Sequence, residues 1–260
     1  ILVSFFGAFP FFLSGSIPNF IDAFFETVSG FTTTGATIID NIEVLPKGLL
    51  FWRSFTHWIG GMGILVFTIA LLPSIGVGGF QIFKAESPGP ISDRIVPRIK
   101  DTAKLLYKTY IVISVVQVLL LLLGGMSLYE ASIHTFGTLG TGGFSTRNAS
   151  ISAFDSTYIH VVIGVFMMLS GINFSLYYAI YKMKWREIFK DEELRLYLTF
   201  IVVSTLLIGL NLYFSNYSDA GTSLRDSFFQ TSSVITTTGY STADFNIWPA
   251  FSKAILFLLM

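Results

Sequence analysis

The stretch Thr32–Thr37 reads TTTGAT; it returns as TTTGYST at Thr236–Thr242, with GTGGFST between them at Gly140–Thr146. Aligned on Gly35, Gly143 and Gly239, an acid stands thirteen residues upstream each time (Asp22, Glu130, Asp226) and a threonine eight upstream (Thr27, Thr135, Thr231). This is an internal repeat, with 108 residues from the first glycine to the second and 96 from the second to the third. Each unit reads as a spanning helix, a short helix of about ten residues, a threonine-glycine string and a second spanning helix.

Composition sets the solvent. Of 260 residues, 52% are hydrophobic and only 12% charged, and the mean hydropathy is +0.68, outside the range of soluble globular domains. Sixteen basic residues balance sixteen acidic ones, so no global basic field points to nucleic acid. With no cysteine, disulfide scaffolds and thiolate metal sites are excluded. No signal peptide is visible at the start. The chain opens at Ile1 in one apolar run and stops at Met260 in another, which predicts a piece of a longer polypeptide.

Apolar segments recur at 1–13, 49–72, 105–123, 158–181, 194–214 and from Trp248 onward. About twenty residues at 1.5 Å each span the hydrocarbon core, so these predict transmembrane helices. Lys84, Arg94, Arg98, Lys100, Lys104 and Lys108 fill one connection, and Lys182, Lys184, Arg186, Lys190 and Arg195 another. The alternate connections hold only Lys47, Arg147 and Arg225, so the first two are expected in the cytoplasm and the strings toward the outside.

The short helices cannot cross and are expected to re-enter, their upstream acids serving as N-caps. Backbone outside a helix survives at membrane depth only when buried in protein or lining a water-filled cavity, so the strings are expected to line a pore. Glycine permits the turns that aim carbonyl oxygens at one axis, and threonine adds a hydroxyl without charge. Rings of such oxygens replace the water of a monovalent cation. No string contains Asp or Glu, which favours dipole coordination of a weakly hydrated ion such as potassium over a carboxylate cage for a divalent ion.

Other residues invite separate readings. GGMG at Gly60–Gly63 could hinge the first inner helix, but small residues in a membrane helix more often allow close packing. His57, one turn earlier, is expected to be a hydrogen-bonded interface group rather than a proton relay; Arg53 lies a further turn out. His134 occupies the register of Glu26 and Gln230, predicting a polar partner behind each string. YKMKW at Tyr181–Trp185 reads as an interfacial belt. No Walker loop, HExxH or GxSxG motif is present. Two rivals remain. An intramembrane serine protease using His57, His134 or His160 leaves the repeat unexplained, and an alternating-access transporter predicts inverted repeats where these are parallel.

The three strings, with FWRSFTHWIGGMGI at Phe51–Ile64 and KAESPGPISDRIVPRIKDTAKLLY at Lys84–Tyr107, resemble the Trk/Ktr/HKT superfamily of potassium transporters, in its bacterial TrkH and TrkG branch, over nearly the whole chain. The resemblance implies an all-α polytopic membrane protein whose helix, pore loop, helix units stand pseudo-fourfold around one pore. On that pattern residues 1–73 are the first repeat, 74–104 a cytoplasmic connection, 105–184 the second repeat and 185–260 the third, with a fourth outside this chain. It places the potassium-binding backbone on Thr33, Thr34 and Gly35, on Thr141, Gly142 and Gly143, and on Thr237, Thr238 and Gly239, with Thr32, Gly140 and Thr236 at the inner edge. Some plant relatives with serine at the first glycine favour sodium, so Gly35 implies potassium. Gly140 and Gly142, where the other strings carry threonine, imply a looser filter. The resemblance further implies a bacterial inner membrane, a homodimer, no organic cofactor and a cytosolic nucleotide-binding regulatory ring, with ESPGPISDRIVPRIK as a contact. Sodium- or proton-coupled symport stays open beside channel-like permeation.

Overall fold

The computed structural model of this chain describes residues 1–75, 99–215, 217 and 219–260, and among them every regular element is helical. In chain order these are α1 (Leu2–Gly7), α2 (Phe9–Leu13), α3 (Phe20–Phe31), α4 (Lys47–Ile75), α5 (Ile99–Leu123) and α6 (Leu128–Leu139). They continue with α7 (Thr157–Ser170), α8 (Phe174–Tyr181), α9 (Trp185–Lys190), α10 (Glu192–Phe214), α11 (Ala220–Ile235) and α12 (Ala250–Leu259). The contact stretch proposed at ESPGPISDRIVPRIK falls almost wholly in 76–98, outside the described residues.

The units share one order. A short helix (α3, α6, α11) runs into a non-helical string, a single 3-10 turn follows (Ile42–Val44, Ser150–Ala153, Phe245–Ile247), and a longer apolar helix begins (α4, α7, α12). Among the described residues two helices are long and apolar enough to cross a membrane, within α5 (Leu105–Leu123, mean hydropathy 2.1) and at α10 (1.9). Both present apolar side chains outward, among them Val112, Val115, Leu119, Val202, Leu206 and Leu210, while Glu26, Arg53, His57, Gln117, His134 and Gln230 are buried. Apolar outside and polar inside is the inverse of a soluble surface and suits a hydrocarbon solvent.

Two sequence expectations need correction. The upstream acids are not the N-caps. Asn19 and Ser127 cap α3 and α6, accepting from Ile21 N–H and Glu130 N–H, and leave Asp22 and Glu130 in the first turn. In α11 the cap is Asp219, so that helix is a turn longer and Asp226 lies mid-helix, buried, paired to Arg225 at 2.9 Å. A carboxylate helps anywhere in the first turn, so composition alone does not separate cap from first-turn residue.

The span expected over 158–181 is broken between α7 and α8. The freed carbonyls are taken up by tyrosines: Tyr177 donates to Leu169 O (2.6 Å) and Tyr197 to Met168 O (2.9 Å). A Cβ on Gly171 would lie 2.5 Å from the Tyr197 oxygen, so the glycine makes room for the hydroxyl that closes the helix end. The run 1–13 is likewise interrupted at Ala8, ahead of Pro10, which lacks the N–H to continue the ladder.

Replacing Ser127 by alanine removes a cap of this kind and is expected to destabilise the protein by about 1 kcal/mol. Thermal unfolding in detergent should show the loss in Ser127→Ala and little change in Ser127→Asp.

Candidate functional site

The three short helices end identically. Thr33, Thr141 and Thr237 carry positive φ (55°, 52° and 57°), and their N–H groups donate to Gly30, Thr138 and Val234 O at 3.1, 3.1 and 3.0 Å. The following N–H reaches back five residues, from Thr34 to Ser29, Gly142 to Gly137 and Thr238 to Ser233, at 3.0, 3.0 and 2.9 Å. This is a Schellman closure with threonine in the left-handed seat that glycine usually takes. A β-branched residue there is an outlier costing of order 1–3 kcal/mol, a strain sustained only where the surroundings over-determine it. Two residues on, Gly35, Gly143 and Gly239 return to positive φ (75°, 74° and 82°).

These turns leave a row of backbone oxygens free. Among the described residues no protein donor reaches the carbonyls of Thr32 to Gly35, Gly140 to Gly143, or Thr237 to Gly239. The strings also nest in order. A Cβ added to Gly35 would overlap Gly142 O, and one added to Gly143 would overlap Thr238 O; one added to Gly239 would meet nothing within 4 Å among the described residues. Thr34 at one end of the row, and Thr237 and Gly239 at the other, are exposed, while Gly142 and Thr238 are buried.

Helix α4 is the wall on which the first two strings rest. It runs unbroken through GGMG, where Gly60 faces Phe31 O and Thr33 of the first string, and Gly61 faces Gly140 of the second and the Tyr110 hydroxyl. These two glycines therefore serve close packing, as expected. His57 differs from its expectation: among the described residues neither ring nitrogen has a hydrogen-bond partner, and the imidazole stacks on Phe144 with centroids 3.9 Å apart. A Cβ at Gly142 would enter the His57 ring, and one at Gly140 would meet its carbonyl. The absent hydroxyls of the second string are thus a steric consequence of α4. In the other two strings that space holds paired hydroxyls, Thr32 with Thr34 and Thr236 with Thr238, each pair at 2.8 Å.

Behind the strings, the register shared by Glu26, His134 and Gln230 carries polar contacts at Glu26 and His134. Glu26 accepts from Thr37 Oγ1 at 2.9 Å and Ile38 N–H at 3.2 Å, and His134 Nε2 lies 3.0 Å from Ser145 Oγ, so in both units the residue two past the glycine is held. Gln230 Oε1 has no partner among the described residues. Glu26 also accepts from Arg53 Nε at 2.6 Å, both side chains being almost fully buried, and the guanidinium lies 3.4 Å from the centre of the Phe144 ring. Sequence reasoning noted Arg53 without finding this pair; the signal was a charge inside an apolar helix, which demands a partner.

Beyond the strings the loops interlock in the same order. Asn148 accepts from Ile42 N–H (2.9 Å) and donates to Asn41 (2.9 Å), and Ser152 N–H donates to Ser241 O (3.1 Å).

A family model described as cation transport protein, TrkH, matches residues 1–260, and this chain belongs to that family. It is 42% identical over 263 residues to the Trk system potassium uptake protein TrkH of Salmonella typhimurium, covering 96% of this chain and 53% of that protein. It is 37% identical to the Trk system potassium uptake protein TrkG of Escherichia coli K12, covering 100% and 54%. The crystal structure of the potassium transporter TrkH from Vibrio parahaemolyticus superposes with a TM-score of 0.82 at 35% identity, over 98% of this chain and 53% of that one. The chain thus spans about half the length of the relatives it matches.

Removing one member of the buried pair, by Glu26→Gln or Arg53→Met, is expected to destabilise the protein by about 3–5 kcal/mol, because the other charge is left uncompensated. The double variant should lose less than the sum of the singles in detergent thermal unfolding.

Proposed function

We propose that this chain supplies three of the filter strands of a potassium uptake pathway, with Thr32–Gly35, Gly140–Gly143 and Thr236–Gly239 offering backbone carbonyls to the ion. The observation that carries the reading is the threefold recurrence of one strained backbone, left-handed at threonine and again at glycine, whose carbonyls, Thr236 O excepted, meet no protein donor among the described residues. Free carbonyls are weak as single ligands but replace a potassium hydration shell when several converge. The cation gains about 2.3 kcal/mol per 100 mV, roughly fiftyfold accumulation, so uptake needs no hydrolytic site in this chain. The nesting of the strings supports a ring with its fourth quadrant beside Gly239 and Thr34, and so the pseudo-fourfold pore-loop arrangement and the repeat boundaries at 73, 104 and 184. The matched relatives are named as components of a Trk system, which supports a multi-subunit assembly; we extend this to a homodimer in a bacterial inner membrane, regulated by a cytosolic nucleotide-binding ring.

The enzyme reading has one observation in its favour, the His134–Ser145 contact. It is outweighed because His134 Nδ1 meets the Glu130 backbone carbonyl rather than a carboxylate, and Glu26 with Thr37 makes the same contact in the first unit. We read both pairs as struts and the protein as a transporter.

Uptake of rubidium against sodium and lithium competition, by the full-length protein in liposomes, tests this. Gly35→Ser combines a left-handed strain with overlap on Gly142 O and is expected to reduce potassium preference at least tenfold; Gly239→Ser has only the strain and should do less. Unchanged ion preference in both variants would remove the strings from the pathway.

A further inference from the structure

We propose that the Tyr240 hydroxyl is a positioning group for the second string, supplying from the third unit the hydrogen bond that the other units make internally. The proposal rests on the filter reading above. Six residues before the string glycines stand Ser29, Gly137 and Ser233. In the first and third units that serine donates to the carbonyl just past the glycine, Ser29 to Ala36 O at 2.6 Å and Ser233 to Tyr240 O at 2.7 Å. Gly137 has no hydroxyl to give. The corresponding carbonyl, Phe144 O, accepts instead from Tyr240 Oη at 2.9 Å, and the same hydroxyl lies 3.3 Å from His134 O.

Sterics make the glycine and the tyrosine one feature. A Cβ on Gly137 would overlap the Tyr240 oxygen and lie 2.9 Å from Phe144 O, so a serine and the hydroxyl cannot share the space. Tyr240 is fully buried, and its own carbonyl is fixed by Ser233. A continuous set of contacts therefore runs from Ser233 through Tyr240 to Phe144, whose ring carries Arg53 and His57, and from Arg53 to Glu26 and Thr37. One hydroxyl joins the third string to the first two. Gly143 sits immediately before the anchored residue and is free to take either backbone hand, so the anchor on Phe144 O limits how far the Gly143 carbonyl can drift.

The test is a rescue cycle in the full-length protein, reading rubidium over sodium uptake in liposomes. Tyr240→Phe removes only the hydroxyl and is expected to lower the preference about tenfold, the ratio that one buried hydrogen bond can support. Gly137→Ser alone should abolish uptake or folded yield by overlap with the tyrosine. The double variant removes the overlap with the hydroxyl and adds a donor like those of the other units; a Cβ still meets Phe144 O at 2.9 Å, so that carbonyl has to shift slightly and the preference should recover above that of Tyr240→Phe without reaching wild type. If Tyr240→Phe is not recovered folded, the same rescue is read as yield of monodisperse protein. The proposal is overturned if Tyr240→Phe keeps wild-type preference, or if the double variant is no better than Tyr240→Phe. Wild-type protein without potassium-selective uptake would instead overturn the filter reading itself, and this proposal with it.

Discussion

A backbone that leaves the helix inside an apolar surround must find partners for its amides, and three stretches of this chain do so by halves. The Schellman closures after Phe31, Leu139 and Ile235 satisfy the N–H groups by folding them back on the helix end, and most of the carbonyls that follow are left without protein donors among the described residues. Everything else near the strings follows from holding that unbalanced backbone in place. The left-handed threonines are the strain it carries, and the packed walls are what prevents relaxation.

Those walls are built from chemistry that is rare in apolar surroundings. Arg53 and Glu26 are taken out of solvent together, and the guanidinium also lies on Phe144, so one side chain braces two strings. Such a pair contributes little net stability and much geometric definition, since either partner alone would be an uncompensated charge. Around it, small residues decide how closely backbones approach. Gly60 and Gly61 admit two strings to one helix, and Gly140 and Gly142 admit that helix to the second string. The units are thus alike in backbone and unlike in what supports it: hydroxyl pairs in the first and third, an imidazole in the second.

Much of this was legible without coordinates, because repetition makes weak signals strong. A lone TTTG is a turn; three copies in one register with an upstream acid and threonine are an architecture. Hydropathy located the long helices, and the shared position of Glu26, His134 and Gln230 announced polar contacts behind the strings, which Glu26 and His134 make while Gln230 Oε1 has no partner among the described residues. Less legible were features that depend on which chemically equivalent group wins locally. Asn19, Ser127 and Asp219 outcompete the nearby acids as caps, and the apolar run 158–181 hides a break that two distant tyrosines close. His57 looked like a hydrogen-bonded group and is a stacking one.

By itself the amino-acid sequence determined the solvent, the helical class, the repeat and the strings, since hydropathy, periodicity and glycine placement are local properties that survive without contacts. Only the tertiary structure decided that Arg53 belongs to Glu26 and Phe144, that threonine rather than glycine opens each left-handed turn, and that Tyr240 serves a carbonyl in the preceding unit. These pairings join residues 27 to 96 positions apart, and a hydrogen bond or ring contact at that separation is chosen by shape and burial, which no local pattern encodes.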